Sequence, residues 1–382
     1  MADFSLSSTI SVTCPKGINS YLKKELELLG HKVLKERIAG VEIEGSLRDC
    51  MKLNLMLRTA HRVHFLLDSF KAENAEQLEQ ALKRIAWENF IDKHGYVSVT
   101  SFIKNKSITN TQFANLKVKD AIVDRIRMTR GARPDSGADL SKAVVFLFWK
   151  GDYASIYLDT SGESISRRGY RMNNHTAPMK ETLAASILLA SNWEPGQHLI
   201  NPMCGSGTIA IEAALMALNR PPGQLRPNYG IKHLLGFKEA EWNELRSELK
   251  QQSLKDFPNH SRILATDNDP KAIDAAQRNA KTAGVDHLIE FRVCDFQDTE
   301  VPYGDGAVIL NPPYGERIGQ DLELESLYRA IGDFFKRDCQ GKWGYVFTGN
   351  FGLAKKVGLR SNRRLEFYNS TIECRLLEYE LY

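Results

Sequence analysis

Cysteines are scarce in this sequence, and long apolar runs are absent. The six cysteines among 382 residues form no CxxC pair with zinc spacing, which argues against a disulfide scaffold or a zinc site. No apolar run reaches the roughly 18 residues that a membrane-spanning helix needs. Met1 to Pro15 lacks the basic stretch and apolar run that are typical of a secretory signal. We therefore expect a soluble, reduced, cytoplasmic protein with no membrane association and no metal requirement.

The length and charge of the chain point to several domains and a polyanionic partner. A chain of 382 residues exceeds one ordinary domain, and 42% hydrophobic with 26% charged residues is typical of globular proteins rather than disordered ones. The net charge is +4, yet residues 101–150 alone carry ten Lys or Arg against four Asp or Glu. A basic segment on an otherwise balanced chain indicates contact with a polyanion through one region. A solvated surface is the alternative.

The order of predicted strands and helices divides the chain into three domains. Residues 1–68 and residues 69–160 are each predicted to form a small α+β domain. The last element predicted in the first of these domains is a helix that begins at Leu47. From 161 to 382, strands, glycine-rich turns and helices alternate, which predicts a doubly wound parallel sheet of Rossmann-like α/β type. The final stretch, Thr371–Leu381, is predicted as an edge strand of that sheet.

The strongest local motif is the glycine turn Asn201-Pro202-Met203-Cys204-Gly205-Ser206-Gly207-Thr208, between a predicted strand and a helix. Glycines let the backbone turn tightly and approach a ligand, and the following helix offers free N–H groups. No Gly-Lys-Ser/Thr follows, so the turn is not a phosphate-binding P-loop. The third glycine of a dinucleotide motif is also missing. An ordinary strand-to-helix connection stays open as the alternative.

Two acidic residues follow the next two predicted strands. Asp267 follows Ile263–Thr266, and Asp295 follows Ile289–Cys294. Ligands of doubly wound sheets lie outside the carboxyl ends of the strands, where one carboxylate can accept ribose hydroxyls and the other an adenine amino group. Each acid alone can instead cap a helix, although Asp269 before Pro270 suits that role better than Asp267.

The fourth predicted strand ends in Asn311-Pro312-Pro313-Tyr314. The prolines fix the backbone and remove two N–H donors, so the Pro312 carbonyl and the Asn311 side chain are left as acceptors. A planar amino group held by two such bonds presents its nitrogen lone pair to an electrophile, and Tyr314 offers a face for base stacking. A rigid Pro-Pro turn with a capping Asn is the alternative.

These motifs together resemble the THUMP-domain RNA guanine-N2 methyltransferases, and the bacterial 23S rRNA enzymes most of all. The glycine turn, Arg167–Arg171, Ala177–Thr182 and Asn311–Gly315 carry this resemblance over about residues 163–382. The N-terminal resemblance, a ferredoxin-like domain followed by a THUMP domain over about 1–160, rests on pattern and position. The chain departs from the family in having Asn201 where Asp is usual, and in a long stretch, Asn219–Phe257, whose role the sequence does not explain.

The resemblance implies a class I methyltransferase domain that uses S-adenosylmethionine. The residues expected at the cofactor are Pro202, Cys204, Gly205, Ser206, Gly207, Thr208, Asp267, Asn268, Asp295 and Phe296. The residues expected at the reacting base are Asn311, Pro312, Pro313 and Tyr314. Phosphate contacts are expected from Lys117, Lys119, Arg127, Arg130, Arg133, Arg167, Arg168 and Arg171. For the last three arginines, structural salt bridges are an equal alternative.

The resemblance implies direct methyl transfer to the exocyclic N2 of a guanosine, and its bacterial members indicate 23S rRNA as the substrate. A pyrimidine C5 enzyme would need a cysteine near the fourth-strand motif, and none is present there. A tRNA guanine-N2 enzyme and an adenine-N6 enzyme acting on nucleic acid remain open. So do a protein glutamine methyltransferase and a catalytically silent RNA-binding scaffold.

Overall fold

The computed structural model describes residues 1–108, 110–171, 179–257, 261–314 and 321–382. The chain forms two compact units. The first comprises Met1–Cys14, Leu22–Ile165 and Arg226–Glu248. The second comprises Pro15–Tyr21, Ser166–Leu225 and Leu249–Tyr382. No helix among the described residues is long and apolar enough to cross a membrane.

The first unit contains an eight-stranded sheet. Its strands are β1 (Ser7–Thr13), β2 (Val33–Arg37), β3 (Gly40–Ser46), β4 (Arg62–Lys71), β5 (Tyr96–Lys104), β6 (Asp135–Gly137), β7 (Ala143–Lys150) and β8 (Tyr153–Asp159). They lie in the order β2-β3-β1-β4-β8-β7-β5-β6, and only the pairs of β5 with β6 and β7 are parallel. The helices along this part of the chain are α1 (Asn19–Leu28), α2 (Leu47–Met56), α3 (Ala75–Leu82) and α4 (Thr111–Arg130).

Strand β4 joins the two N-terminal parts of the chain into one sheet, because it pairs with β1 on one side and with β8 on the other. This strand was not predicted from the sequence, and the boundary predicted between residues 68 and 69 falls inside it. The reason is that Val63, His64 and Phe65 are all buried in succession, so the apolar and polar alternation of a half-exposed strand is lost.

A charged group is buried at the far end of β8. The Asp159 carboxylate is 2% exposed and lies 2.5 Å from a guanidinium nitrogen of Arg62 and 3.5 Å from Nε2 of His64. Burial alone raises the pKa of Asp159, but its interactions with His64 and Arg62 outweigh that effect and lower it. The ion pairs therefore favour the charged carboxylate in the folded chain.

Helix α4 carries the basic segment predicted from the charge distribution. Asn110 caps its start by accepting from the backbone N–H groups of Gln112 and Phe113, and Gly131 ends it in the left-handed conformation. The predicted apolar stripe of Val118, Ile122 and Ile126 is buried. The amphipathic pattern was thus sufficient to predict this helix and its buried face.

The second unit contains a seven-stranded sheet. Its strands are β9 (His198–Pro202), β10 (Ile263–Asp267), β11 (Ile289–Val293), β12 (Gly306–Leu310), β13 (Trp343–Thr348), β14 (Arg363–Asn369) and β15 (Ile372–Glu380). Helices of the remaining chain are α5 (Glu181–Ala190), α6 (Thr208–Ala217), α7 (Glu239–Gln251), α8 (Pro270–Ala283), α9 (Asp321–Asp338) and α10 (Phe351–Ala354). The strand order is β11-β10-β9-β12-β13-β15-β14, with the first five strands parallel. The predicted doubly wound α/β sheet is confirmed.

The prediction of an edge strand at the C-terminus is wrong. Strand β15 lies between β13 and β14 and is antiparallel to both. The strand at this edge of the sheet is β14, which was not predicted from the sequence and whose Arg363, Arg364 and Glu366 are exposed. Charged side chains on an edge strand discourage pairing with another chain, and they also mask the apolar pattern of the strand.

The long stretch between α6 and β10 returns to the first unit. Ile231 donates its backbone N–H to the Thr160 carbonyl at 2.9 Å, and Trp242 is 2% exposed. At Gly230 a Cβ would lie 2.5 Å from the Asp159 carbonyl oxygen, so only glycine permits this approach. Residues 226–248 are therefore a part of the first unit that is supplied from the middle of the second.

Candidate active site

The candidate site lies where the strand order of the second sheet reverses. Strand β9 pairs with β10 on one side and with β12 on the other, and all three are parallel. The helices that follow β9 and β12 leave in different directions at such a point, which opens a crevice outside the carboxyl ends of the strands. The glycine turn follows β9 and Asn311–Tyr314 follow β12, so the two strongest sequence motifs adjoin the same crevice.

The glycine turn needs its two glycines for different reasons. Gly205 and Gly207 both have left-handed backbone conformations, with φ of 54° and 78°. A Cβ at Gly207 would lie 2.9 Å from Cβ of Ala276 on α8, so this glycine permits close packing of α6 and α8. A Cβ at Gly205 would meet no atom of the described residues within 4 Å. Gly205 thus leaves open space beside the backbone, as a ligand that approaches the turn would require.

The first of the two predicted acids is linked directly to this turn. The Asp267 carboxylate accepts from the Gly205 backbone N–H at 2.9 Å and from the Asp269 backbone N–H at 3.0 Å. The Cys204 backbone N–H donates to the Thr266 carbonyl at 3.0 Å. These bonds hold the turn against the end of β10, where Asn268 is exposed. As predicted, the cap of α8 is Asp269, whose side chain accepts from the Lys271 backbone N–H at 2.9 Å.

The second acid lies one strand further along the sheet. Asp295 is exposed and accepts from the Gln297 backbone N–H at 2.9 Å, at the start of a short 3₁₀ turn. Phe296 is 5% exposed and packs edge-on against Phe334, with ring centroids 5.8 Å apart. Phe296 therefore belongs to the core beneath this turn, and its contact with an adenine ring stays a prediction.

Two amide oxygens at the crevice lack partners. Asn201 donates from Nδ2 to the Ile309 carbonyl at 2.8 Å, which joins β9 to β12, while its Oδ1 is buried and accepts no hydrogen bond from the part of the chain that the structure describes. Oδ1 of Asn311 is likewise buried, with no hydrogen-bond partner among the described residues. A carboxylate at position 201 has no proton to donate, which gives a physical reason for Asn there. Buried acceptors without partners are costly, and a ligand with N–H donors would satisfy them.

The tyrosine of the motif is fixed by the β14–β15 hairpin. Its hydroxyl accepts from Nδ2 of Asn369 at 2.9 Å, and Sγ of Cys374 lies 3.9 Å away. The Tyr314 ring packs edge-on against Phe347, and burial raises the pKa of Tyr314 to about 12. Pro312 is buried and Pro313 is exposed. Tyr314 therefore stays protonated near neutral pH and is positioned by neighbours that sequence analysis did not identify.

Arg168 does not face solvent, which corrects its assignment as a phosphate contact. Arg168 is 1% exposed, and its Nε lies 3.5 Å from Oε1 of the fully buried Glu212. The Tyr170 hydroxyl donates to the same Glu212 oxygen at 3.1 Å. Burial with a carboxylate matches the salt-bridge alternative that the sequence left open. Arg167 is exposed, so a phosphate contact there stays a prediction.

Arg171 lies at the glycine turn rather than on an open surface. One of its guanidinium nitrogens donates to Oγ1 of Thr208 and to the Met179 carbonyl, both at 3.0 Å. The residues between it and Met179, with the predicted segment members Ala177 and Pro178, lie outside the described residues, as does Gly315 of the fourth-strand motif.

The predicted phosphate contacts of the first unit lie on and just after α4. Lys117 pairs with Glu79 at 3.0 Å and Lys119 with Asp120 at 2.7 Å. Arg127, Arg130 and Arg133 are exposed. Cations in the last turn also stabilise a helix through its dipole, so exposure alone does not establish RNA contact at Arg127 and Arg130.

Family models match three parts of the chain. Residues 168–378 match an RMKL-like methyltransferase domain, residues 9–64 an RlmL ferredoxin-like domain and residues 72–159 a THUMP domain. The chain belongs to the RMKL-like methyltransferase family. The fold class and family predicted from the sequence are confirmed.

Relatives and solved structures agree with this membership. The Ribosomal RNA large subunit methyltransferase K/L of Syntrophotalea carbinolica is 38% identical over 97% of this chain and 53% of its own length. A Synechocystis sp. protein whose name proposes RNA methyltransferase activity is 33% identical over 97% of this chain and 96% of its own. The crystal structure of SMU.472, whose name proposes methyltransferase activity and which is complexed with SAH, has a TM-score of 0.89 at 27% identity and covers 98% of both chains. The chain spans about half the length of the K/L relatives that it matches.

Three side chains that shape the site of this family member were not predicted from its sequence. Asn369 and Cys374 were missed because a long stretch of chain separates them from Tyr314. Glu212 was missed because it lies inside an otherwise apolar helix, α6, where it is fully buried. A lone acidic residue among Ile, Ala and Leu is a signal that such a helix contacts a buried cation.

Proposed function

We propose that this protein is an S-adenosylmethionine-dependent methyltransferase that modifies the N2 amine of a guanosine in large-subunit ribosomal RNA. The observation that carries the proposal is the buried Oδ1 of Asn311, which no described residue pairs, at the switch point of the sheet and one strand from the glycine turn. Support comes also from the THUMP match and from the names of the K/L relatives.

The residues at the crevice fit S-adenosylmethionine as the cofactor. The open space at Gly205 would admit the part of the cofactor that lies against the backbone of the turn. Asp267 would accept the ribose hydroxyls with the lone pairs that are left available by its hydrogen bonds to backbone N–H groups. Asp295 is exposed at the next strand end and would accept the adenine amino group. S-adenosylmethionine, when bound, supplies a methyl group already activated by a sulfonium.

The residues of the fourth-strand motif would orient the base. Oδ1 of Asn311 and the Pro312 carbonyl would each accept one N–H of the exocyclic amine, which aims the nitrogen lone pair away from them. Tyr314, fixed through its hydroxyl by Asn369, would stack on the base. Because these groups only accept and position, the protein contributes proximity and alignment rather than a covalent nucleophile. A duplex base must leave its stack to reach such a pocket.

Replacement of Asn311 tests the proposal. Asn311→Ala should lower the turnover of RNA by about a hundredfold or more, because one of two acceptors that align the amine is lost. Binding of S-adenosylmethionine, measured by calorimetry, should persist. Asn311→Asp, which keeps an acceptor oxygen, should retain more turnover than the alanine variant. Undiminished turnover of Asn311→Ala would reject the role of this residue.

Nucleoside mass spectrometry identifies the product and the substrate. RNA from cells that lack the protein should lose N2-methylguanosine from the large ribosomal RNA, and the purified protein should restore it. Loss of N6-methyladenosine instead would favour the adenine enzyme, since the same acceptors suit that amine. Loss confined to tRNA would favour the tRNA alternative, and RNase-insensitive methylation of protein would favour the glutamine enzyme. Failure of the purified protein to bind S-adenosylmethionine would favour the catalytically silent RNA-binding scaffold.

A further inference from the structure

Two stacked phenylalanines lie on one face of the first sheet, near its edge. Phe102 on β5 and Phe148 on β7 are direct partners across the two strands, and their rings stack with centroids 5.3 Å apart and planes inclined by 10°. Strand β6 pairs with β5 only from Tyr96 to Ser98, so β5 is the outermost described strand at Phe102. Phe102 is accordingly 48% exposed.

The same face carries a third aromatic ring and two cations beside this pair. Lys104 and Lys150 are partners two residues further along β5 and β7, and Lys150 is also the partner of Tyr153 on β8. Residues two apart on a strand point to the same face, so these side chains adjoin the two phenylalanines. All three are exposed, Tyr153 to 67%. We call Phe102, Phe148 and Tyr153 the aromatic platform.

The charge beside the aromatic platform is positive. The third lysine of this row is Lys71 on β4, the other partner of Tyr153, and it pairs with Glu73 at 2.6 Å. Asp152 lies in the turn between β7 and β8. Three lysines thus stand against two acids. Lys104 lies directly opposite Lys150, and like charges in that position destabilise a sheet unless an anion lies between them.

An anion that also carries flat apolar groups fits this surface. Exposed aromatic rings at the edge of a sheet favour contact with a partner, while lysines there discourage pairing with another protein strand. Single-stranded RNA supplies bases that stack on aromatic rings and phosphates that contact lysines. A duplex keeps the faces of its bases inside its own stack. The combination of rings and lysines therefore favours unpaired RNA over a duplex and over a second protein.

We propose that the aromatic platform binds unpaired nucleotides of the RNA substrate, with bases stacked on Phe102 and Tyr153 and phosphates held by Lys104 and Lys150. The proposal rests on the proposed function, since it takes RNA as the substrate. It adds a preference for unpaired RNA, which the cations predicted to contact phosphates on α4 do not explain, because phosphates are common to both forms.

Two RNA probes test the proposal with the full chain in fluorescence anisotropy titrations. One is a single strand of about 12 nucleotides, and the other is the blunt duplex of the same sequence. Phe102→Ala should weaken binding of the single strand about fivefold to a hundredfold, because the stacking of one base is lost, and leave the duplex unchanged. Phe102→Trp keeps a flat ring and should retain the affinity. Replacing Lys104 and Lys150 by alanine should lower the slope of log affinity against log salt by about 1.4 for the single strand.

Phe113→Ala is the matched control, because Phe113 is 44% exposed and lies on α4 rather than on the sheet. It should leave the affinities of both probes unchanged. The proposal would be overturned if Phe102→Ala weakened neither probe or both equally, or if Phe113→Ala weakened the single strand as much. A wild-type dimer in sedimentation experiments that Phe102→Ala converts to a monomer would assign this face to a second copy of the chain and overturn it as well.

Photocrosslinking of the wild type needs no variant to fold. A single strand that contains 5-iodouridine should crosslink to the peptides that carry the aromatic platform, whereas crosslinks confined to α4 would contradict the proposal. The proposed function is tested separately by nucleoside mass spectrometry. A chain that methylates N2 of guanosine but fails the binding tests would keep that function and lose only the role of the aromatic platform.

Discussion

Adding one methyl group at Gly205 or at Gly207 should have opposite consequences for ligand binding and for stability. The two glycines are two residues apart and both have left-handed φ angles, so Gly205→Ala and Gly207→Ala are the same chemical change in similar backbone conformations. Only the surroundings of the added Cβ differ. The pair therefore separates what the turn does for packing from what it does for a ligand.

The structure sets the expected free energies of unfolding. A left-handed conformation costs an alanine about 1–2 kcal/mol, and this is the whole cost at Gly205, where no atom lies within 4 Å of the Cβ. At Gly207 the Cβ lies 2.9 Å from Cβ and 3.4 Å from Cα of Ala276. Overpacking of that kind adds about 1–3 kcal/mol. Gly207→Ala should thus destabilise the chain by about 2–5 kcal/mol in total.

Binding should show the reverse order. The methyl group of Gly205→Ala occupies the open space where we place the cofactor, so the affinity for S-adenosylhomocysteine should fall at least about tenfold. Gly207→Ala faces α8 and should change affinity less. Gly131→Ala is the matched control, because Gly131 has a φ of 73°, no atom within 4 Å of its Cβ and a place in the other unit. The backbone strain of Gly131→Ala is the same as that of Gly205→Ala, and its affinity for S-adenosylhomocysteine should be that of the wild type.

Urea unfolding and calorimetry measure both quantities on the same preparations. If Gly205→Ala bound S-adenosylhomocysteine as tightly as Gly131→Ala does, the space beside Gly205 would not be where the ligand lies. If Gly205→Ala destabilised the chain as much as Gly207→Ala, the contact with Ala276 would not be the source of the difference. Either result would refute the reasoning.

Three further predictions concern other parts of the molecule. Asn369→Ala removes the donor that fixes the Tyr314 hydroxyl, so the KM for RNA should rise while the affinity for S-adenosylhomocysteine stays unchanged in calorimetry. Replacing Arg127 and Arg130 by alanine should weaken RNA binding and reduce the slope of log affinity against log salt by about two in filter-binding titrations. The lowered pKa of Asp159 makes a contribution to stability that is complete above the unfolded pKa and lost as the pH falls through the folded one. The urea midpoint of the wild type should therefore fall more steeply between about pH 5 and pH 3 than that of Asp159→Asn.

Much of the second unit could be predicted from the sequence because its signals are local. Strand β12 is a short apolar run, α8 has an amphipathic pattern, and Asp269 with Pro270 marks the start of α8 directly. The position of the site followed from the order of motifs along the chain, since a doubly wound sheet gathers the residues after its strands at one edge.

What could not be predicted depends on pairing between distant segments. The order of β14 and β15 is fixed by hydrogen bonds across the sheet, which no periodicity in either strand encodes. The interior location of Arg168 depends on Glu212, and the unusual Asn201 is explained only once its amide is seen to donate to Ile309. A charged residue in a motif therefore did not by itself distinguish a surface contact from a buried support.

The return of residues 226–248 to the first unit constrains how the protein is made. During synthesis, the eight strands of the first sheet leave the ribosome well before Tyr229 and Trp242, which complete its hydrophobic interior, have been translated. A fragment that ends at Ile165 should consequently be prone to aggregation, whereas one that ends after Glu248 also carries the unpaired beginnings of the second sheet. A single cut in the chain therefore does not separate the two units, and expression of the first unit alone calls for a short linker that joins residue 165 to residue 226.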